Sequence, residues 1–401
     1  LVVAAAISAF GDGLSNEAAP FLIDVASNSP LQLGLGQFGV SLAKIIVGLV
    51  IGLHLTSSTA YKFASVASLL AILPTLAWCV PHTNVPAMLG LQIVRGAFGA
   101  VMSVSLTTLL MKPGNGGETL KNFATLQFTV GTVEGIGGFL APLLTQRFGA
   151  GVFVADAISF GVFFLLLVGI KPPSAQDSND PGVAVRSEAQ PVLEFTDALR
   201  YVVDHPHLFS VVIAFSACYV SWAVNSAVAY PILREWGLPR EYRSFYKLAV
   251  TIGGLVATWQ LICPNPKRTQ RLPSFLALGG SIGLLGAVTV MTGCVGPGAG
   301  ITGIFLQFPQ GFVSDASSAM AKAHIAQRCG SVRGVSMTGP VTGLVYALNM
   351  TVLGVGKLLG GAIAEAYSAR IALIFAGLST IALLWVAAQV DATPPRPQRR
   401  R

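Results

Sequence analysis

Charge is what this sequence has least of. Only 10% of its 401 residues are Asp, Glu, Lys or Arg, against about a quarter in a soluble globular domain. A chain this poor in charge cannot clothe a folded surface for water, which excludes an ordinary soluble domain. Long polar stretches are equally scarce, the longest running from Lys171 to His205. Cysteine is sparse and unpatterned. Cys79, Cys218, Cys263, Cys294 and Cys329 are odd in number and scattered, with no CxxC or Cys/His spacing, so they read as reduced, small apolar residues rather than a disulfide framework or a zinc site. GxxxxGK[ST] and HExxH are both missing. P-loop ATP use and zincin chemistry therefore have no residues to carry them. No secretory signal peptide is visible. The chain opens at Leu1 without Met and is already apolar there, so the start of the first helix is expected upstream.

What is present is hydrocarbon and glycine. Hydrophobic residues make up 53% of the chain, and glycine supplies 44 residues. A membrane-spanning helix needs about 20 apolar residues. Apolar stretches fall at about 1–25, 31–55, 61–80, 85–111, 119–144, 149–170, 206–231, 243–263, 273–294, 298–324, 335–363 and 367–390. The glycine content suits helices that approach closely in lipid. The expectation is an all-α membrane protein of about twelve transmembrane helices. Residues 1–170 form a first six-helix bundle and 206–390 a second. Between them, 171–205 form a cytoplasmic linker, ending in a short amphipathic helix from Val192 to Val203 at the membrane surface. A basic tail occupies 391–401.

The net charge of +8 lies in short loops between apolar runs and does not indicate nucleic-acid binding. With the N-terminus inside, one set of loops holds Lys62, Lys112, Lys121, Lys171, Arg186, Arg200, Lys267, Arg268, Arg271, Lys322, Arg328, Arg333, Arg396 and Arg399 to Arg401. The other holds Arg147, Arg234, Arg240, Arg243, Lys247 and Arg370. The bias places both termini in the cytoplasm. The cluster from Arg234 to Lys247 runs against that rule, with Glu235 and Glu241 offsetting part of it.

The two halves resemble each other. Ala9-Phe10 matches Ala214-Phe215, and Gly48-Leu49-Val50 matches Gly254-Leu255-Val256. Leu91-Gln92 matches Leu306-Gln307, and Gly135 to Gly138 matches Gly354 to Lys357. The matches are collinear, their offset drifting from about 205 to about 219 residues. A parallel six-helix repeat about an axis along the membrane normal characterises one large class of transporters.

On these residues the chain resembles the major facilitator superfamily over essentially its whole length. Arg95-Gly96-Ala97-Phe98-Gly99 is similar to the fourth-helix motif of that family. Gly131, Gly135, Gly137, Gly138 and Pro142 are similar to the fifth-helix glycine motif of its antiporters. Ser8 to Gly13, with Ser29-Pro30 and Gly34, resembles the branch of enterobactin-type siderophore exporters and macrolide efflux proteins. The segment Gly52 to Lys62 departs from the family, whose loop between the second and third helices carries an Asp and an Arg cluster, both absent here. The resemblance implies a cavity lined by the first, fourth, seventh and tenth helices.

A charge within the bilayer is costly and marks a functional candidate. Asp12, Glu17, Lys44, Arg95 and Glu134 are the candidates for proton coupling, Asp12 foremost and Arg95 by the family's fourth-helix motif. Asp12 and Asn16 share a helix face, whereas Glu17 lies about 140° round from Asp12 at ~100° per residue. Lys44 is positioned to neutralise Asp12 or Glu17. Candidates for substrate contact are Asn16, Gln92, Tyr219, Trp222, Asn225, Gln307, Gln310, Asp315 and Lys357. For Lys357 two roles stay open, pairing with Asp315 or attracting an anionic substrate. Gly135, Gly137, Gly138 and Pro142 form a candidate gating surface, which in the family packs the two halves together. Asp156 and Glu365, near helix ends, read as solvated. In the repeat Arg95 stands opposite Gln310, Gly138 opposite Lys357 and Asp12 opposite Ala217. Proton handling is thus assigned mainly to the first half and much of substrate selection to the second.

The function this implies is proton-coupled export of a small amphipathic organic molecule, drug-like or siderophore-like. It would be carried out by a monomer in the inner membrane, with no cofactor, no metal and no enzymatic step. The alternatives are an uptake carrier for a nutrient or lysolipid, and a non-transporting sensor built on a degenerate facilitator fold.

Overall fold

The structure, a computed structural model, describes residues 2–52, 57–80, 84–110, 116–169, 195–262, 274–329, 331–332, 335–336 and 338–392. The basic tail, most of the linker and the residues between the second and third helices, His54 included, lie outside the described residues, as do Val192 to Glu194 and Cys263.

The first half consists of α1 (Val2–Ser27), α2 (Pro30–Gly52), α3 (Ser57–Ala77), α4 (Val85–Leu110), α5 (Gly116–Phe148) and α6 (Val152–Gly169). A short helix, α7 (Phe195–Asp204), precedes the second half. That half consists of α8 (Pro206–Ala227), α9 (Ala229–Glu235), α10 (Arg243–Ile262), α11 (Phe275–Cys294), α12 (Gly300–Phe305), α13 (Gln307–Arg328), α14 (Thr338–Ala366) and α15 (Ala369–Asp391). A two-rung antiparallel ladder, Ser331–Val332 against Val335–Ser336, sits between α13 and α14.

The expectation of about twelve spans in two bundles holds, with two spans broken. The seventh divides into α8 and α9 at Val228, whose φ of −97° and ψ of 11° leave the helical region. The tenth divides into α12 and α13 at Leu306. Both breaks have the same cause. Proline has no N–H, and its ring clashes with the carbonyl four residues earlier. Pro231 acts on Ala227, the last residue of α8, and Pro309 acts on Phe305, the last residue of α12.

The packing repeats as the sequence does. In the first half α1 lies against α5 and α6, α4 against α2 and α3, and α3 against α6. In the second half α8 lies against α14 and α15, α13 against α10 and α11, and α11 against α15. The bundles meet mainly along α2 with α14 and α5 with α10, again a symmetric pair. Glycine sets the closest approaches. A Cβ on Gly137 of α5 would strike the Phe10 carbonyl of α1, and one on Gly34 of α2 would lie 2.7 Å from the Lys357 carbonyl of α14.

Among the described residues, eight segments are apolar and long enough to cross a membrane on composition alone. The helices α1, α10 and α13 are not among them. They carry Asp12, Glu17 and Asp24, then Arg243 and Lys247, then Asp315 and Lys322. The short helix α7 buries Ala198 and Val202 against the second bundle, while Leu199 and Val203 remain exposed.

Candidate functional site

α1 places three carboxylates at different depths. The first belongs to the interior of the first bundle. The Arg95 guanidinium of α4 donates to Asp156 of α6 through Nε at 2.9 Å and to Asp12 of α1 through a terminal nitrogen at 3.0 Å. Its other terminal nitrogen reaches Asn16 Oδ1 at 3.3 Å. Ser15 Oγ also donates to Asp156. Asp12 and Asn16 thus share Arg95, as their four-residue spacing requires. Asp156 was expected to be solvated; it is instead fully buried, because two donors from α1 and α4 hold it there. Of the two carboxylates on Arg95 only Asp12 keeps contact with open space, its side chain 34% exposed against none for Asp156, and Asn16 beside it is exposed as well.

The second carboxylate, Glu17, points away from the first bundle. Arg243 of α10 grips it with both prongs, Nε to Oε2 at 2.9 Å and a terminal nitrogen to Oε1 at 3.0 Å. Lys247 Nζ lies 3.8 Å from Oε1. The guanidinium stacks over the Tyr246 ring at 4.7 Å and Tyr230 at 5.9 Å. Tyr230 donates its hydroxyl to the Glu17 carbonyl at 3.1 Å. Behind Arg243 the chain of contacts runs on: Tyr246 donates to Asn225, and Asn225 donates to Gln307 at 3.1 Å.

The third carboxylate, Asp24, is fully buried at the face that bears the α1–α2 turn. Arg240 donates to it at 2.6 Å and Arg234 approaches to 3.4 Å. At the same face Ser29 donates to Glu365 of α14 at 2.9 Å. Glu365 is exposed, as expected, yet it also joins the bundles. The basic cluster that opposes the loop-charge rule is therefore spoken for. Arg234, Arg240, Arg243 and Lys247 all face carboxylates of α1 across the bundle boundary. Sequence reasoning passed over Arg243, Lys247 and Asp24. The available signal was the break in the loop-charge pattern itself, because four misplaced cations call for counter-charges nearby.

The remaining candidates separate by environment. Glu134 and Lys44 face the Asp12 region. Lys44 does not reach Glu17, which Arg243 occupies. Lys357 lies near Lys44, Glu17 and Lys247 rather than pairing with Asp315; Asp315 is exposed and neighbours Lys322 and Lys247. Gln92, Asn225, Gln307 and Gln310 are buried, at 8%, 4%, 0% and 3% exposure. Neither amide atom of Gln310 has a hydrogen-bond partner among the described residues. Tyr219 and Trp222 meet edge to face at 5.7 Å, and Trp222 is 45% exposed. Of the fifth-helix glycines, a Cβ on Gly135 would strike Thr251 and one on Gly138 would lie 2.9 Å from Lys247, both across the boundary, whereas Gly137 packs against α1 within its own bundle. Pro142 is buried inside α5. An apolar cavity of about 490 Å³ sits apart from these charges, between α1, α5 and α6. No group of three or more metal-ligating side chains occurs among the described residues.

This arrangement can hold one end of a two-bundle protein shut by ion pairs while a carboxylate at mid-depth stays reachable. Comparison with known proteins agrees with the architecture. A family model described as Major Facilitator Superfamily matches residues 1–339. No curated protein matches in sequence. Among solved structures, the nucleoside transporter NupG superposes with a TM-score of 0.66 at 11% identity, covering 97% of this chain and 99% of that one. The human organic anion transporter TETRAN gives 0.65 at 12% identity, covering 96% and 97%. The fucose:proton symporter of E. coli gives 0.62 at 13% identity, covering 98% of each. At such identities the likeness is one of fold.

Proposed function

The chain belongs to the major facilitator superfamily, and from that premise we propose that it exports a small amphipathic organic molecule in exchange for protons, by alternating access across the inner membrane with both termini cytoplasmic. As a multi-pass member of a transporter family it works in a lipid bilayer on a small-molecule substrate. The observation that carries the finer reading is the difference between the two carboxylates on Arg95. Asp156 is sealed and fixes the arginine, whereas Asp12 shares the same guanidinium and keeps 34% of its side chain open. Protonating Asp12 cancels its attraction to Arg95, and releasing the proton restores it. A change of pairing at this depth is what a coupled carrier needs to link proton occupancy to bundle position. In the expected orientation the ion pairs of Glu17 and Asp24 close the outer face, so the conformation described is the one that receives cargo from the cytoplasm.

The test is flux in everted vesicles. An imposed pH gradient should drive uptake of a substrate identified from a panel of dyes and siderophores. Asp12→Asn should abolish the gradient dependence while leaving downhill exchange measurable. Undiminished gradient-driven transport in both Asp12→Asn and Arg95→Ala would overturn the coupling assignment. Depletion of the substrate from intact cells would support export, and accumulation would reverse the direction.

A further inference from the structure

We propose that the space between the bundles takes an organic monoanion, its acidic group held between Lys44 of α2 and Lys357 of α14 and its apolar body against Trp222 and Tyr219 of α8. This rests on the transport function above and specifies its substrate class.

Between the two membrane faces, cations outnumber carboxylates. The cations there are Lys44, Arg95, Arg243, Lys247, Lys322 and Lys357. The carboxylates are Asp12, Glu17, Glu134, Asp156 and Asp315. Six against five leaves one positive charge over. Its location follows from the pairing. Arg95 takes Asp12 and Asp156. Glu17 answers both Arg243 and Lys247. Asp315 has Lys322 and Lys247 nearby, and Lys44 has Asp12 and Glu134 nearby. Lys357 is left with no carboxylate of its own. Its surroundings are Lys44, Lys247 and a Glu17 that is already gripped by two prongs of Arg243.

Neither Lys44 nor Lys357 makes an ion pair or a side-chain hydrogen bond among the described residues. Both are half-buried. A membrane protein rarely keeps two ammonium groups near one another at this depth with no carboxylate in direct contact with either, because each is costly to remove from water. The helices that carry them are locked together. A Cβ on Gly34 of α2 would meet the Lys357 carbonyl at 2.7 Å, and one on Gly48 would lie 3.5 Å from the Tyr346 ring of α14. The lysines therefore stand on the two sides of one boundary, and an anion bridging them touches both bundles at once.

The apolar wall is adjacent. Phe215, Tyr219 and Trp222 contact one another in sequence along α8 at 5.4 and 5.7 Å. Ser226, one turn beyond Trp222, reaches Gln37 of α2 at 3.5 Å, so this face of α8 looks across the boundary. Tyr219 and Tyr346 pack with Ile45, the neighbour of Lys44, around Ala223, Met350 and Leu353. An acidic group on Lys44 and Lys357 thus places the rest of the ligand on rings, with Trp222 45% exposed to receive it.

The test reads the local potential and the ligand class separately. In a cysteine-free background, Lys44→Cys is reacted with an anionic sulfonate thiol reagent and with a cationic trimethylammonium reagent of equal size. The expected result is faster reaction with the anionic reagent, the preference falling about tenfold when Lys357→Gln is added. Equal rates, a cationic preference, or no reaction with either reagent would overturn the proposal, since it requires an accessible, positive cavity. In proteoliposomes, 1-naphthoate, 1-naphthamide and 1-naphthylmethylammonium then compete against transport of the established substrate. Competition by naphthoate alone, weakened at least tenfold by Lys357→Gln and retained by Lys357→Arg, supports the site. Stronger competition by the amide or the amine overturns it while leaving the transport function standing. Normal labelling without flux of any substrate instead fails the transport function and leaves the positive cavity intact.

Discussion

Glu17 on α1 and Arg243 on α10 form a two-pronged ion pair across the bundle boundary, at 2.9 and 3.0 Å, with each side chain only 8% exposed. Fork-to-carboxylate geometry gives direction as well as strength, and aromatic rings on two sides of the guanidinium keep water from it. Removing Arg243 leaves the buried Glu17 with only the more distant Lys247, at 3.8 Å, which costs about 3 kcal/mol, the low end for breaking a buried pair. In the carrier that cost falls on the conformation that contains the pair. Arg243→Ala is therefore expected to shift the balance away from the closed turn face by about 100-fold or more, at ~1.4 kcal/mol per tenfold. Spin labels on the α1–α2 and α9–α10 connections would report the opening as a longer distance. An unchanged distance distribution would show that the pair does not hold this face.

Arg240 is expected to matter less. Its side chain is 32% exposed, and Arg234 remains beside Asp24 when it is removed. A partly exposed pair contributes about 0–1 kcal/mol. Arg240→Ala should move the same label distances only slightly, and a shift equal to that of Arg243→Ala would refute the ranking.

Arg95 and Asp156 bear on stability more than on gating. Arg95→Leu strands a carboxylate that has no exposure to solvent, and the penalty is about 3–5 kcal/mol. Removing the charge as well, in Arg95→Leu with Asp156→Leu, should recover much of the loss. Thermal unfolding in detergent checks this, the double variant melting above the single one. A double variant that melts at or below the single one would show that the pair is needed for more than neutralisation.

Two glycines on α5 provide a steric contrast. Gly131 has nothing within 4 Å of an added Cβ, whereas Gly137 faces the Phe10 carbonyl and the Leu14 nitrogen, the latter at 3.1 Å. Backbone cannot yield as a flexible side chain does, and overpacking typically costs about 1–3 kcal/mol. Gly137→Ala should lower the melting temperature or abolish expression, while Gly131→Ala should leave both unchanged. Equal melting temperatures for the two variants would dismiss the close α1–α5 approach.

Much of the architecture was legible in the sequence because a bilayer imposes a simple rule. Apolar runs of sufficient length become helices, and the collinear glycine and Leu-Gln matches mark the repeat. Helix breaks at Val228 and Leu306 were not anticipated, although Pro231 and Pro309 each sit four residues past the end of a helical segment. Side-chain partnership was the least legible. Asp156 stands alone in an apolar run, and nothing local reveals that Arg95, 61 positions away, will reach it. The Glu17–Arg243 pair spans 226 positions. Helical spacing did separate Asp12 from Glu17 correctly, because that relation is set within a single helix. Relations between helices depend on depth and rotation, which a pattern along the chain does not encode.

The opposed charges at the turn face also govern how the protein is completed. α1 brings Glu17 and Asp24 into the membrane well before the chain reaches Arg234, Arg240, Arg243 and Lys247. Until then the first half holds two acidic groups without counter-charge, and the second half alone would hold four basic ones. Neither half is a finished membrane protein. Each is a complementary fragment, and the same contacts that shut the carrier also neutralise one half with the other.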